Sequence, residues 1–385
     1  MPRLNRARVA ALSRRRRDEC LAAGLSLYSM AEDLDEVDTA LAVLVRWQVL
    51  ATRYERDTRP TVPHRFDWLG DEVNDLDFRK IFRWHKRDFV YLADMLAIPS
   101  TFALPKGGER SGLLCFLYCV WRLGNPSTLT RDTLVWGEGR GTLCEMFSVC
   151  ITFLHQRWAL HLVKHLCVQA VLPKCPEFAE KIHAKGAPLT RCWGFIDGTI
   201  RKTCRPTYFQ RSFYNGWKRS HGLKYQSVET PDGIMRQVWG PVPCRRNDCH
   251  LLNASHLLDT LEQNMWTHGP DPLPWYLYGN PAYPLSPCLL TPFKGHLAED
   301  EKEFNKRMSS VRETVEWGFQ KVVANWGFVD WHEKPQVFWS ATGLGPPYSV
   351  ACLLTNCHTC MYGSETSAYF DCSPPSLEEY LNARG

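Results

Sequence analysis

The stretch from Trp193 to Ile200, Trp-Gly-Phe-Ile-Asp-Gly-Thr-Ile, constrains the fold more than any other part of the chain. A short apolar run that ends in an acid followed by glycine predicts a buried strand delivering Asp197 to its own C-terminal edge, where the chain turns. In α/β folds that edge is where chemistry gathers. A lone carboxylate at a strand end is more often a turn residue than a ligand, so Asp197 needs partners. Candidates follow in order: Gly240-Pro-Val-Pro-Cys-Arg-Arg-Asn-Asp248, Tyr278-Gly-Asn-Pro-Ala-Tyr-Pro284, and a helical run holding Arg312-Glu-Thr-Val-Glu316.

Upstream of that strand the chain divides by composition. Residues 1–17 hold seven arginines and no acid, so the net charge of +5 leaves about −2 for the rest. Residues 1–24 therefore read as a basic arm, with Arg14 to Arg17 a nuclear-import signal, a phosphate-binding patch or simply a solvated tail. From Met30 to Tyr54, apolar residues at three- and four-residue steps predict an amphipathic helix, and with a Pro-bearing link this makes up residues 25–74. Residues 75–175 read as helix, turn, helix, turn, helix, with Asp75 as an N-cap; the pattern fits either a helix-turn-helix DNA reader or a plain bundle. No apolar run approaches the ~20 residues of a membrane span. Sixteen cysteines without an apolar leader point to reduced thiols and an intracellular protein.

Residues 188–330 carry the α/β pattern. After the Asp197 strand, Leu223 to Val228 and Ile234 to Val238 flank Thr230-Pro-Asp-Gly233 and predict a hairpin. Leu251 to Trp266 reads as a helix, Trp275 to Tyr278 as a short buried strand, and Glu299 to Trp326 as a long helix on which Arg312 and Glu316 share a face. An isolated helical Glu is usually a surface acid paired with a neighbour. In the Cys-, Pro- and aromatic-rich extension at 331–385, Cys357-His-Thr-Cys360 is half of a zinc site; with no second half at proper spacing, buried thiols are the simpler reading. The fifteen tryptophans are expected in the core and at domain interfaces rather than in base stacking.

Taken together, these motifs resemble the Harbinger-type transposase-derived nucleases, a branch of the DDE superfamily of endonucleases. Ile196 to Thr199 match that family's Ile-Asp-Gly-Thr strand. Gly279-Asn-Pro-Ala-Tyr-Pro284 matches its Gly-Asp-x-x-Tyr-Pro segment except that Asn280 replaces the second acid. Arg312 and Glu316 match its Arg-x-x-(Val/Ile)-Glu helix, and Asn247-Asp248-Cys249 stands at its His-Asp-Ser-like element. Leu289-Leu-Thr-Pro-Phe-Lys294 and Phe304-Asn-Lys-Arg307 also agree.

The resemblance implies an α/β fold, an RNase H-like mixed sheet flanked by helices behind an N-terminal all-helical region. It implies a catalytic set of Asp197, Asn280 and Glu316, with Asp248 a further metal ligand, holding Mg²⁺ or Mn²⁺ for two-metal cleavage of DNA phosphodiester bonds. Asn280 brings no negative charge, so one of three anionic groups facing the metals is lost; Asp248 and Asp271 are the nearest substitutes by sequence. Arg201, Lys202, Arg205, Arg211, Lys218, Arg219, Lys224 and Arg312 are the cations expected on the DNA backbone. A separate Myb-like DNA-binding partner, a nuclear location and a homo-oligomer are further expectations. Two functions remain open at this point, an active nuclease and an inactive descendant kept as a DNA-binding or protein-interaction module.

Overall fold

The computed structural model describes residues 67–206, 210–330 and 345–383. The basic arm and the helix expected from Met30 to Tyr54 lie outside the described residues.

The strand containing Asp197 is the centre of the sheet. It is β3, Cys192–Lys202, and its first five residues are buried before exposure begins at Asp197. The short strands β1 (Thr101–Ala103) and β2 (Glu109–Ser111) precede it, and β4 (Tyr214–Asn215), β5 (Ser220–Glu229), β6 (Met235–Pro243), β7 (Tyr276–Gly279) and β8 (Leu289–Leu290) follow. β5 runs antiparallel to β3, with Asp197 opposite Ser227, and β6 runs antiparallel to β5. On the other side β7 is parallel to β3 and β8 parallel to β7. An antiparallel meander whose first strand is extended on its other side by two parallel strands, β7 and then β8, is the mixed sheet of an RNase H-like fold. The Pro231-Asp232-Gly233 turn closes the meander as expected, with Gly233 at φ 75, where a side chain is strained.

Helices cover both faces. Strand residues alternate, so Asp197 and Gly198 point to opposite sides. On the Gly198 side lie α7 (Asp248–Ala254) and α8 (Leu257–Asn264), with Gln226 on β5 donating to Ser255 between them at 3.3 Å. On the Asp197 side lie α9 (Glu299–Arg312), α10 (Thr314–Asn325), α11 (Gly345–Tyr362) and α12 (Glu365–Phe370); Phe195 stacks on Phe370 there. Two expected helices are each divided. Leu251 to Trp266 breaks where His256 takes φ 50, and Glu299 to Trp326 breaks at Glu313.

The N-terminal region packs as a bundle, with α1 (Asp75–Phe82), α2 (Lys86–Met95), α3 (Gly112–Gly124), α4 (Leu129–Trp136) and α5 (Arg140–Leu154), while α6 (Cys175–Ala184) leads to β3. Asn74, rather than Asp75, caps α1; the Asp75 carboxylate instead accepts from the Lys86 backbone and ties α1 to α2. The β1–β2 hairpin, turned by Gly107 and Gly108 at positive φ, interrupts a stretch that reads as all-helical. Helices α3 and α4 are joined by a buried ion pair, Arg122 to Asp132 at 2.8 Å, with Tyr118 donating to the same oxygen at 3.0 Å. Helix α5 turns six buried residues inward and begins with its one cation, Arg140.

The bundle shares its core with the C-terminal helices. Trp84 stacks on Trp326 at 5.6 Å, and α11 and α13 (Leu377–Asn382) close over Tyr225, Ile234 and Val238 of the meander. Asn356 of α11 both accepts from the Met235 backbone at 3.0 Å and donates to its carbonyl at 2.9 Å.

Candidate active site

The parallel pairing of β3 with β7 places Ile196 beside Gly279, so the residues that leave these two positions meet at one edge of the sheet. Asp197 and Asn280 are those residues. The Asn280 side chain donates from Nδ2 to Asp197 Oδ1 at 2.7 Å, and its Oδ1 accepts from the Ala282 backbone at 2.8 Å. These contacts fix the amide: an ionised carboxylate only accepts, and a backbone N–H only donates. Asn280 therefore presents nitrogen, not oxygen, to Asp197.

The turn that holds this amide is built by its neighbours. A Cβ on Gly279 would lie 2.9 Å from both Ile196 Cγ2 and Tyr283 Cδ2, so the absence of a side chain lets the Tyr283 ring pack under the strand end. Cys249 Sγ donates to the Ala282 carbonyl at 2.9 Å and ties the turn to α7. The Tyr283 hydroxyl is buried without a hydrogen-bond partner among the described residues; burial first, and then the negative charges of Asp248 and Asp197, push its pKa well up.

The second oxygen of Asp197 belongs to a cation. Arg312, at the end of α9, donates from Nη1 to Asp197 Oδ2 at 2.9 Å, and both side chains are largely buried. With the Gly198 backbone donating to Oδ1 at 2.8 Å, Asp197 has three donors on its two oxygens. Asp248 is placed on the other face of β3, where a Cβ on Gly198 would lie 2.4 Å from its Oδ1. It is matched in charge by Lys224 at 2.8 Å. Glu316 sits in the first turn of α10, exposed, and its carboxylate makes no hydrogen bond or ion pair among the described residues. The structure thus brings together Asp197, Asn280 and Arg312, sets Asp248 across the strand with Lys224, and leaves Glu316 facing solvent. Asp271 is exposed in the loop before β7.

The expected cations divide in the same way. Arg201 turns inward, lying over the rings of Tyr348 and Phe319 and donating to the Tyr348 hydroxyl at 3.3 Å. Lys202, Arg205, Arg211, Lys218 and Arg219 are exposed. Sequence reasoning passed over Arg245 and Arg246, also exposed, and Trp217, which is 89% exposed on the turn beside Lys218.

Comparison with known proteins agrees with the fold and the motifs. Residues 196–356 match the model of a family described as DDE superfamily endonuclease. Over that stretch the chain is similar to the DDE superfamily endonucleases. Outside that model, Protein ALP1-like of Arabidopsis thaliana is 24% identical over 276 residues, covering 68% of this chain and 66% of that protein, slightly under two thirds of its length. No solved structure matches the chain.

DDE endonucleases generally use divalent metal ions, and the donor set here does not fit a pair of them. Among the described residues no group of three His, Cys, Asp or Glu side chains is placed to hold a metal. The two carboxylates at β3 are each neutralised by a cation, and Asn280 turns a donor inward. A site with no surplus negative charge cannot offset the charge of two divalent ions. The C-terminal Cys-x-x-Cys lies within one helix, and burial pushes the Cys360 thiol up to about 12 and that of Cys357 well above its ordinary value, so both stay protonated and inert. No helix among the described residues is long and apolar enough to cross a membrane.

Proposed function

We propose that this protein is a DNA-binding derivative of the DDE endonucleases in which phosphodiester cleavage is disarmed at its first acid. The supporting observation is the enclosure of Asp197, whose oxygens are taken by the Asn280 amide, the Gly198 backbone and the Arg312 guanidinium. The surface cations give the reading its ligand. Between Asp197 and Glu229 the sequence holds seven cations and no acid, and five of these, Lys202, Arg205, Arg211, Lys218 and Arg219, are exposed. Guanidinium and ammonium groups that neutralise phosphates release condensed counterions, which makes affinity strongly salt-dependent.

The reading includes a nuclear location, supported by the arginine cluster Arg14 to Arg17, and sharing of target choice with a Myb-like partner protein. A second reading, slow metal-dependent cleavage by Asp197, Asn280 and Glu316 with Mg²⁺ or Mn²⁺, rests on the exposed Glu316 carboxylate, which is committed to no partner.

The test is a DNA-binding isotherm for a short duplex in EDTA and again in Mg²⁺, with and without Asp197→Ala. Binding in EDTA that is unchanged by Asp197→Ala and falls steeply with salt supports the proposal. Binding that requires a divalent ion and is lost in Asp197→Ala contradicts it.

A further inference from the structure

The hairpin between β4 and β5 is the most exposed apolar feature of the described surface, and it is rigid at its base. Tyr214 pairs with His221 and Asn215 with Ser220, and the two rings pack at 5.2 Å. The Asn215 side chain accepts from the Lys218 backbone at 2.8 Å and donates to the Cys244 carbonyl at 2.9 Å. Arg219 closes the turn at φ 48. On this platform Trp217 is 89% exposed, the largest value among the exposed apolar side chains. An indole held in water on an ordered turn presents an open aromatic face, and what it can take depends on its surroundings.

The surroundings say what it contacts. Lys218 and Arg219 follow it directly, Arg211 precedes the hairpin, and Arg245 is brought alongside by its backbone bond to the Ser212 carbonyl at 3.3 Å. All four are exposed, and residues 198–228 contain no acid. Aromatic faces interleaved with cations suit a polymer of flat rings joined by phosphates. We propose that the tip of this hairpin is a nucleic-acid stacking site, in which Trp217 takes a base against its indole while Lys218 and Arg219 hold the adjoining phosphates.

The proposal rests on the DNA-binding reading and adds a geometry to it. Ser220 and Ser227, the residue opposite Asp197, are seven residues apart on β5. At about 3.3 Å per residue the hairpin is about 23 Å from Asp197, or about seven base steps along a strand. The tip therefore engages DNA well outside the Asp197 edge.

Fluorescence anisotropy of the full chain with a 20-base single strand and a 20-base-pair duplex, each across a salt series, tests this. Trp217→Ala is expected to weaken binding about tenfold or more without changing the slope of log affinity against log salt; Trp217→Phe retains most of the affinity. Lys218→Gln and Arg219→Gln are each expected to lower that slope by about one. A larger Trp217→Ala effect on the single strand identifies an unpaired base as the ligand, and an equal effect on the duplex identifies insertion between pairs; either supports the site. Because Trp217 is solvent-exposed, an unchanged melting temperature excludes misfolding as the cause. Wild-type affinity for Trp217→Ala on both probes, with DNA binding otherwise intact, overturns this site alone. Failure of the unaltered protein to bind either probe overturns the DNA-binding reading with it.

Discussion

Asn280 is a neutral amide with the shape of a carboxylate, and the consequences follow from what that amide can donate. Its Nδ2 gives Asp197 a hydrogen bond at 2.7 Å, where a carboxylate would instead bring a second negative charge. Asn280→Asp is therefore expected to exchange a charge-assisted hydrogen bond, worth about 1.5–3 kcal/mol, for repulsion between two carboxylates. In EDTA the variant should melt several degrees below the unaltered protein, and Mg²⁺ should restore part of the difference because a cation now has two carboxylates to bridge. Thermal melts with and without Mg²⁺ check this; a melting temperature unaffected by the substitution in both media speaks against the described contact. The sequence singled out Asp197 and Asn280, and the structure brings these two side chains together. Arg312 was legible only in part: the Arg-x-x-Val-Glu spacing points it toward Glu316, whereas it reaches across to Asp197. Side-chain reach between elements is not encoded in spacing along one helix.

Two glycines decide how the elements approach. At Gly279 a methyl group would press on Ile196 and the Tyr283 ring at 2.9 Å, and the ring cannot retreat because it is buried. Gly279→Ala is expected to cost about 1–3 kcal/mol and to loosen the Asn280 turn, visible as a lower denaturation midpoint. At Gly318 on α10 the added atom would lie 2.2 Å from the Glu229 carboxylate, which α10 buries against the sheet. Burial pushes the Glu229 pKa well above the ordinary carboxylate value, against smaller lowering by its Thr366 hydrogen bond and the Lys321 charge, while Asp232 raises it further.

A carboxyl whose folded pKa is raised holds its proton more tightly when folded, so its contribution is present at low pH and is lost as pH rises. The stability of the unaltered protein relative to Glu229→Gln should therefore already be falling as pH rises out of the ordinary carboxylate range. That range lies below the point where Lys321, pushed down to about 8 by burial, gives up its proton. Paired chemical denaturation curves across those pH values check the sign, and a constant difference contradicts it. Strands β3, β5, β6 and β7 and the hairpin turn were readable from their apolar residues and from Pro231-Asp232-Gly233, whereas the short β1, β2, β4 and β8 were not. The break at His256 and that at Glu313 were not, because neither carries Gly or Pro to mark it.

Across the whole molecule, the helical bundle and the C-terminal helices form one apolar core that grips the antiparallel half of the sheet. Asn356, near the end of the stretch matched by the family model, is buried and satisfies both backbone groups of Met235, so Asn356→Leu strands a donor and an acceptor without water. Each buried unsatisfied group costs about 1–3 kcal/mol, and a loss of this size should appear as a single cooperative transition at lower denaturant, because the core is shared. The sequence pattern assigned residues 331–385 to an extension, since Pro, Cys and aromatic content carries no clear period. Only the packing of α11 on Tyr225 and Val238 reveals what that composition is for.

Under the proposed function the RNase H-like fold is kept while cleavage is disarmed by the hold of Asn280 and Arg312 on Asp197. Nicking of a supercoiled plasmid in Mg²⁺ and in Mn²⁺ tests this, with the unaltered protein, Asp197→Ala, Asn280→Asp, and the double variant Asn280→Asp with Asp197→Ala compared at equal concentration. No nicking is expected from the unaltered protein, Asp197→Ala or the double variant, and metal-dependent nicking is expected from Asn280→Asp alone. Nicking by the unaltered protein that disappears in Asp197→Ala would contradict it.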